Sequence, residues 1–128
     1  MNDRGSVPLT LAVLLFGSVV MLGLAVDLAR VAAAWRQASH TASAAAEAGA
    51  GWIDESAAHL DTLVLDADRA RDAALAVAVA PHRSAEVEAT STRVCVRVTV
   101  PVPVSILRVV GAGATSVTAS ACAVPVQG

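Results

Sequence analysis

The sequence predicts an α+β fold: a long N-terminal helix, membrane-spanning in its first half, packed through its second half on a small antiparallel β-sheet, with one short helix between them. Three observations carry this expectation. No residue from Gly5 to Val26 carries a charge, apolar and small residues then recur at spacings of three and four as far as Trp52, and from Glu86 onward the period becomes two. The boundaries that follow are a leader at 1–5, a transmembrane helix at 6–27, its extracytoplasmic continuation at 28–53 and a small α+β domain at 54–128.

The apolar span comes first. Leu9 to Val26 is nearly all Leu, Val, Ala, Met, Phe and Gly, and roughly 20 such residues at about 1.5 Å each match a hydrocarbon core of ~30 Å. Thr10 and Ser18 are compatible with it, because their hydroxyls bond back to the helix's own carbonyls, and Pro8 lies near the start, where its missing N–H belongs to the first turn. With 128 residues in all, little chain remains to bury such a helix on every side. Flanking charge does not orient the span: Asp3 and Arg4 stand on one side, and Asp27, Arg30 and Arg36 on the other.

Beyond Val26 no loop signal intervenes. Leu28, Val31, Trp35, Ala38, Ala42, Ala45, Gly49 and Trp52 draw one seam along a continuing helix, with Arg30, Arg36, Gln37, His40, Ser43 and Glu47 mostly off it. The seam is made largely of small residues, so a neighbour can approach closely while each position buries little area. Gly49 and Gly51 weaken the helix, and its end is expected between Gly51 and Asp54. A second helix is predicted from Asp66, its N-cap, through the Ala-rich run to Ala80, closed by Pro81. The stretch from Asp54 to Leu65 reads either as helix or as connector.

Three half-buried strands follow. Val87 and Ala89 alternate with Glu86, Glu88 and Thr90; Val94, Val96, Val98 and Val100 alternate with Arg93, Cys95, Arg97 and Thr99; Val117, Ala119, Ala121 and Ala123 alternate with Thr118, Ser120 and Cys122. Ser91-Thr92 marks a turn, and Pro101 and Pro103 require the second strand to end there or to run along an edge. Cys95 and Cys122 are the two cysteines, each on the polar face of its strand. If these strands pair antiparallel, with the reversal between Val104 and Gly113, a Cys95–Cys122 disulfide is expected; the alternative is two unpaired small apolar residues. A cysteine pair in a small module suits an oxidising compartment, which places the C-terminal domain outside the cytoplasm.

Composition and motifs narrow the function. Hydrophobic residues make up 55% of the chain and charged ones 16%, and the net charge is −2 with nine basic residues, all arginine. No basic surface collects phosphates, so nucleic acid is excluded as a partner. Zinc needs about four ligands, and neither CxxC nor HxxxH spacing is present. His40, His59 and His82 are isolated, and Asp61, Asp66, Asp68 and Asp72 lack the EF-hand spacing, so capping and a solvated face account for them. Without a GxSxG elbow or another activated nucleophile, no catalytic, cofactor-binding or metal residue is nominated and the protein is read as a non-enzyme.

The N-terminal arrangement is more specific. Arg4-Gly5-Ser6-Val7 leads into the span, Val26-Asp27-Leu28-Ala29-Arg30 closes it, and Arg36-Gln37-Ala38 through Ala44-Ala45-Ala46-Glu47-Ala48-Gly49-Ala50 follows. This order resembles the TadE/TadG-like proteins of bacterial Flp (tight adherence) pilus assembly, in which a short polar leader ending in Arg-Gly-Ser precedes a membrane helix, an exit with Asp and Arg, and an Ala-rich helix. The resemblance covers about the first 50 residues. It implies a pilin-like, single-pass pseudopilin in the cell membrane, acting as a minor pilin or as a component of pilus or secretion-apparatus assembly. It further implies other pilin-like subunits, the assembly machinery and a prepilin-type peptidase as partners, no cofactor, and cleavage between Gly5 and Ser6. Many TadE-type and pilin sequences carry Glu five residues after the leader glycine, where this chain has Thr10, and TadG-like ones often carry Asp where it has Ser43. The alternative reading is a secreted or membrane-anchored extracytoplasmic binding module of unknown ligand, for which a secretory cut near Ala25 would be the mark.

Overall fold

The computed structural model describes residues 6–54, 63–109, 111 and 113–125. Its elements are α1 (Ser6–Ala50), α2 (Ala67–Ala78), β1 (Ser84–Ala89), β2 (Val94–Val102), α3 (Ile106–Val109) and β3 (Thr115–Ala123). The 45 residues of α1 form one uninterrupted helix, about 68 Å long at the standard rise. From Val7 to Leu22 it is apolar around nearly the whole circumference, and no residue there is covered by the rest of the chain. This is the one helix among the described residues that is long and apolar enough to cross a membrane.

The second half of α1 carries the domain. β1, β2 and β3 form an antiparallel sheet in that order, and α1 and α2 pack on one of its faces. The strand period of two sorts the side chains: Val94, Val96, Val98 and Ala119 turn inward and are buried, whereas Arg97, Thr118 and Ser120 face out. Against them α1 presents Ala38, Ala42, Ala45 and Ala46, and α2 presents Ala70, Ala74 and Ala78. With methyl groups facing one another, the two helices come so close that a Cβ on Gly49 would lie 2.8 Å from the Ala70 carbonyl oxygen and 3.0 Å from a γ-carbon of Val94. The predicted small-residue seam therefore packs as expected through Ala38, Ala42, Ala45 and Gly49.

Of its large members only Val31 is half-buried. Leu28, Trp35 and Trp52 are all about half exposed, and the buried line instead runs back from Ala38 through the half-buried Ala34 and Val31 to Asp27 and Gly23. The helix also stops at Ala50, short of the predicted Gly51–Asp54. Past it, Ile53 bridges to Leu65 in antiparallel fashion, and the Asp54 and Asp66 amides donate to Val64 and Trp52. This pairing draws the backbone out of the helix just after Gly51, where helical propensity is lowest. Of the ambiguous Asp54–Leu65 stretch, residues 55–62 lie outside the described residues, and 63–65 are not helical.

Asp66 is the N-cap of α2, its side chain accepting from the Arg69 amide at 3.2 Å. The helix ends at Ala78 rather than Ala80, with Val79 already extended, as the residues ahead of a proline favour. Pro81 then occupies a turn with His82 in the left-handed region at φ 67°. The β1–β2 hairpin closes at the expected place, where the Thr90 hydroxyl accepts from the Thr92 and Arg93 amides. β2 continues through Pro101 to Val102 because β1 has already ended opposite Thr99, so Pro101 needs to pair only with β3, across from Ser116.

Candidate functional site

Two places in the fold hold chemistry beyond packing. The first is the outer face of the sheet. β2 and β3 pair so that Cys95 stands directly opposite Cys122, Arg97 opposite Ser120 and Thr99 opposite Thr118. The cysteines are joined in a disulfide across the two strands, with Cα atoms 4.0 Å apart, and the Thr99 and Thr118 hydroxyls share a hydrogen bond of 2.9 Å. Glu86 and Arg97 form an exposed cross-strand ion pair at 3.3 Å. These side chains surround a shallow, open depression beside the bridge. Both sulfurs are consumed in the bond, so this face offers no thiol nucleophile or thiolate ligand.

The second place lies where the apolar span meets the domain. Asp27 is 1% exposed, the single buried charged residue among those described. The connection between β2 and β3 contains α3, a single turn that no pattern in the sequence predicts, and its leading amides converge on the Asp27 carboxylate. The Ser105 N–H donates to both oxygens at 3.1 Å, Ile106 to Oδ2 at 2.7 Å and Leu107 to Oδ2 at 3.1 Å. Asp27 thus caps a helical turn that belongs to a segment 78 or more residues away in sequence. Arg30, one turn along α1, adds an ion pair at 3.6 Å and reaches the Ser105 hydroxyl at 3.4 Å. Just below, Ile106 sits over Gly23: a Cβ there would fall 2.5 Å from its Cγ1, so only glycine admits this contact without displacement of Ile106. A lone Asp at the end of a hydrophobic run reads as the exit of a span, and nothing local announces its distant partner.

Of the predicted processing residues, Gly5 lies outside the described residues, and Ser6 is the first residue of α1. His40, on α1, and His82, in the turn before β1, are exposed, and His59 is not described. Among the described residues no three His, Cys, Asp or Glu side chains come together as metal ligands. Comparison with models of protein families, with curated proteins and with solved structures gives no match. What the geometry itself supports is a membrane-spanning type of helix carrying a small disulfide-linked sheet domain, without a catalytic motif in its sequence.

Proposed function

We propose that this protein is a single-pass, non-enzymatic minor pilin or assembly component of a pilus or secretion apparatus, of the TadE/TadG-like kind, with its sheet domain on the extracytoplasmic side of the cell membrane. The observation that carries the reading is the form of α1. One helix serves first as an all-apolar rod and then, without interruption, as the backbone on which a small sheet packs. A pilin-like subunit needs both parts in one rigid element, since the apolar half holds it in the membrane or beside other subunits while the domain stays in water. The disulfide supports an oxidising environment for the domain. The Arg4-Gly5-Ser6 leader just ahead of the helix supports handling by a prepilin-type peptidase on the opposite side, and no cofactor enters the function. Thr10, standing where TadE-type and pilin sequences place Glu, cannot neutralise a neighbour's ammonium, which favours a role in assembly over one as the repeating subunit of a fibre.

The intact mass of the protein from its native membrane fraction tests this. A chain beginning at Ser6 is expected, and Gly5→Leu should block that cut while leaving membrane insertion intact, because glycine lets the backbone enter a peptidase site without a side chain in the way. A native protein that begins at Met1 or Asn2 where an active peptidase is present refutes the processing, and release near Ala25 assigns the chain to the secreted-module alternative. Protease protection that places the sheet domain in the cytoplasm refutes the topology.

A further inference from the structure

We infer that α3 and the residue before it, Ser105–Val109, form a second membrane contact, seated in the lipid headgroup and upper acyl region on the domain's side of the bilayer. The inference rests on reading α1 as a membrane anchor. Val7 to Val26 are about 20 residues, or ~30 Å of helix, the full hydrocarbon thickness, so the last turn of the span includes Gly23. Ile106 packs directly on Gly23. The β2–β3 connection therefore descends beside α1 to the depth at which the span leaves the lipid, while the sheet stays above it.

The chemistry of the turn fits that depth. Backbone N–H groups facing hydrocarbon must be satisfied within the protein, and the amides of Ser105, Ile106 and Leu107 are all taken by the Asp27 carboxylate. Each partner removes the other's exposed polarity. Outward, Val109 is 83% exposed, the most exposed large apolar side chain among the described residues. Lipid contact would remove this apolar surface from water. Val26 on α1, one turn from Gly23, is likewise exposed, and Ile106 joins this turn to the span at Gly23. Arg108, beside Val109 on the turn and exposed, can extend to a lipid phosphate while its stem stays in the apolar region. The seat of Ile106 on the last turn of the span and this positive charge commit the surface to lipid rather than to a second protein.

The test uses the full-length protein in vesicles of phosphatidylcholine and phosphatidylglycerol, with one nitroxide introduced after the disulfide has formed, through Val109→Cys, Val13→Cys in the span or Glu88→Cys on the outer sheet face. Accessibility to oxygen and to a water-soluble nickel chelate is read by power saturation. The expected result is an oxygen-to-nickel ratio at Val109 several-fold above that at Glu88 and below that at Val13. A Val109 ratio equal to that at Glu88, with Val13 in lipid, overturns the second contact and leaves the anchor standing. A Val109 label shielded from both reagents overturns it in favour of a protein partner. Aqueous values at Val13 as well as Val109 overturn the anchor reading itself.

Discussion

Replacing Gly49 probes the closest approach in the fold. A methyl group there falls 2.8 Å from the Ala70 carbonyl oxygen, 3.0 Å from Val94 Cγ1 and 3.3 Å from Ala74 Cβ, and ordinary contacts begin near 3.4 Å or beyond. The obstacles are backbone or side chains buried at 0% exposure, so relief requires α1 and α2 to separate by a few tenths of an ångström. Such overpacking costs about 1–3 kcal/mol. Alanine's helical advantage over glycine offsets up to about 1 kcal/mol of that, leaving Gly49→Ala destabilised by about 1 kcal/mol. Gly49→Val adds two further carbons with nowhere to go and loses part of the helical gain, so about 3 kcal/mol is expected. Gly17, where an added methyl would meet nothing within 4 Å, is the matched control, and Gly17→Ala should be neutral or stabilising. Thermal unfolding of the full-length protein in detergent, followed by loss of amide protection in β2, reads the difference. For a domain of this size about 1 kcal/mol corresponds to a fall in Tm of roughly 4–8 °C. A Gly49→Val protein as stable as the parent would refute the close helix packing.

Other perturbations have separate readouts. Reducing Cys95–Cys122, which are separated by 27 residues, should lower stability by about 3.5 kcal/mol in the chain-entropy description; denaturant midpoints that coincide with and without reductant, after thiol alkylation proves reduction, would show that the bridge does not constrain the unfolded chain. Val98→Ala deletes two methyl groups from a fully buried position and should cost about 2–3 kcal/mol, seen as a shifted midpoint with unchanged slope. Asp27→Ala leaves the Ser105, Ile106 and Leu107 amides without their acceptor, so their hydrogen exchange should accelerate on the order of tenfold or more while β2 stays protected. Unchanged exchange at Ile106 would mean that the carboxylate does not hold the turn.

How far the sequence discloses this protein depends on how local each signal is. The uncharged run before Asp27, the Asp66 cap and the alternation through Val94–Val100 are local, and each corresponds to an element of the fold. The disulfide is legible as well, because the two cysteines share a strand face and a single reversal brings them opposite one another. The seam is legible only where small residues leave no choice. Trp35 and Leu28 fit the same spacing of three and four, yet both stay exposed while Ala38 is buried and Ala34 half-buried, since a surface that packs within a methyl's width has no room for indole. Asp27 escapes for the opposite reason. Its role exists only once Ser105–Leu107 arrive from the far end of the chain, and Ile106–Val109 is too short to show a period.

The contacts that local patterns do not reveal change how the domain is attached. Were the interface to begin at Ala38, the stretch from Asp27 to Gln37 would be a bare helix between membrane and domain, free to bend. Instead α1 is held from Gly23, under Ile106, through Asp27, clamped by three amides, to Gly49, against Ala70. That grip runs along 27 residues, about 40 Å of helix. Packing on α2, β2, β3 and α3 along this length leaves no hinge between the span and the sheet. Rotation or displacement of the span must then carry the sheet with it, and a load on the sheet must reach the span through a single helix. In the proposed role, as a subunit drawn from a membrane by an assembly machine, that coupling is the mechanical property required, and Gly23 and Asp27 are the residues whose replacement should loosen it at the membrane end.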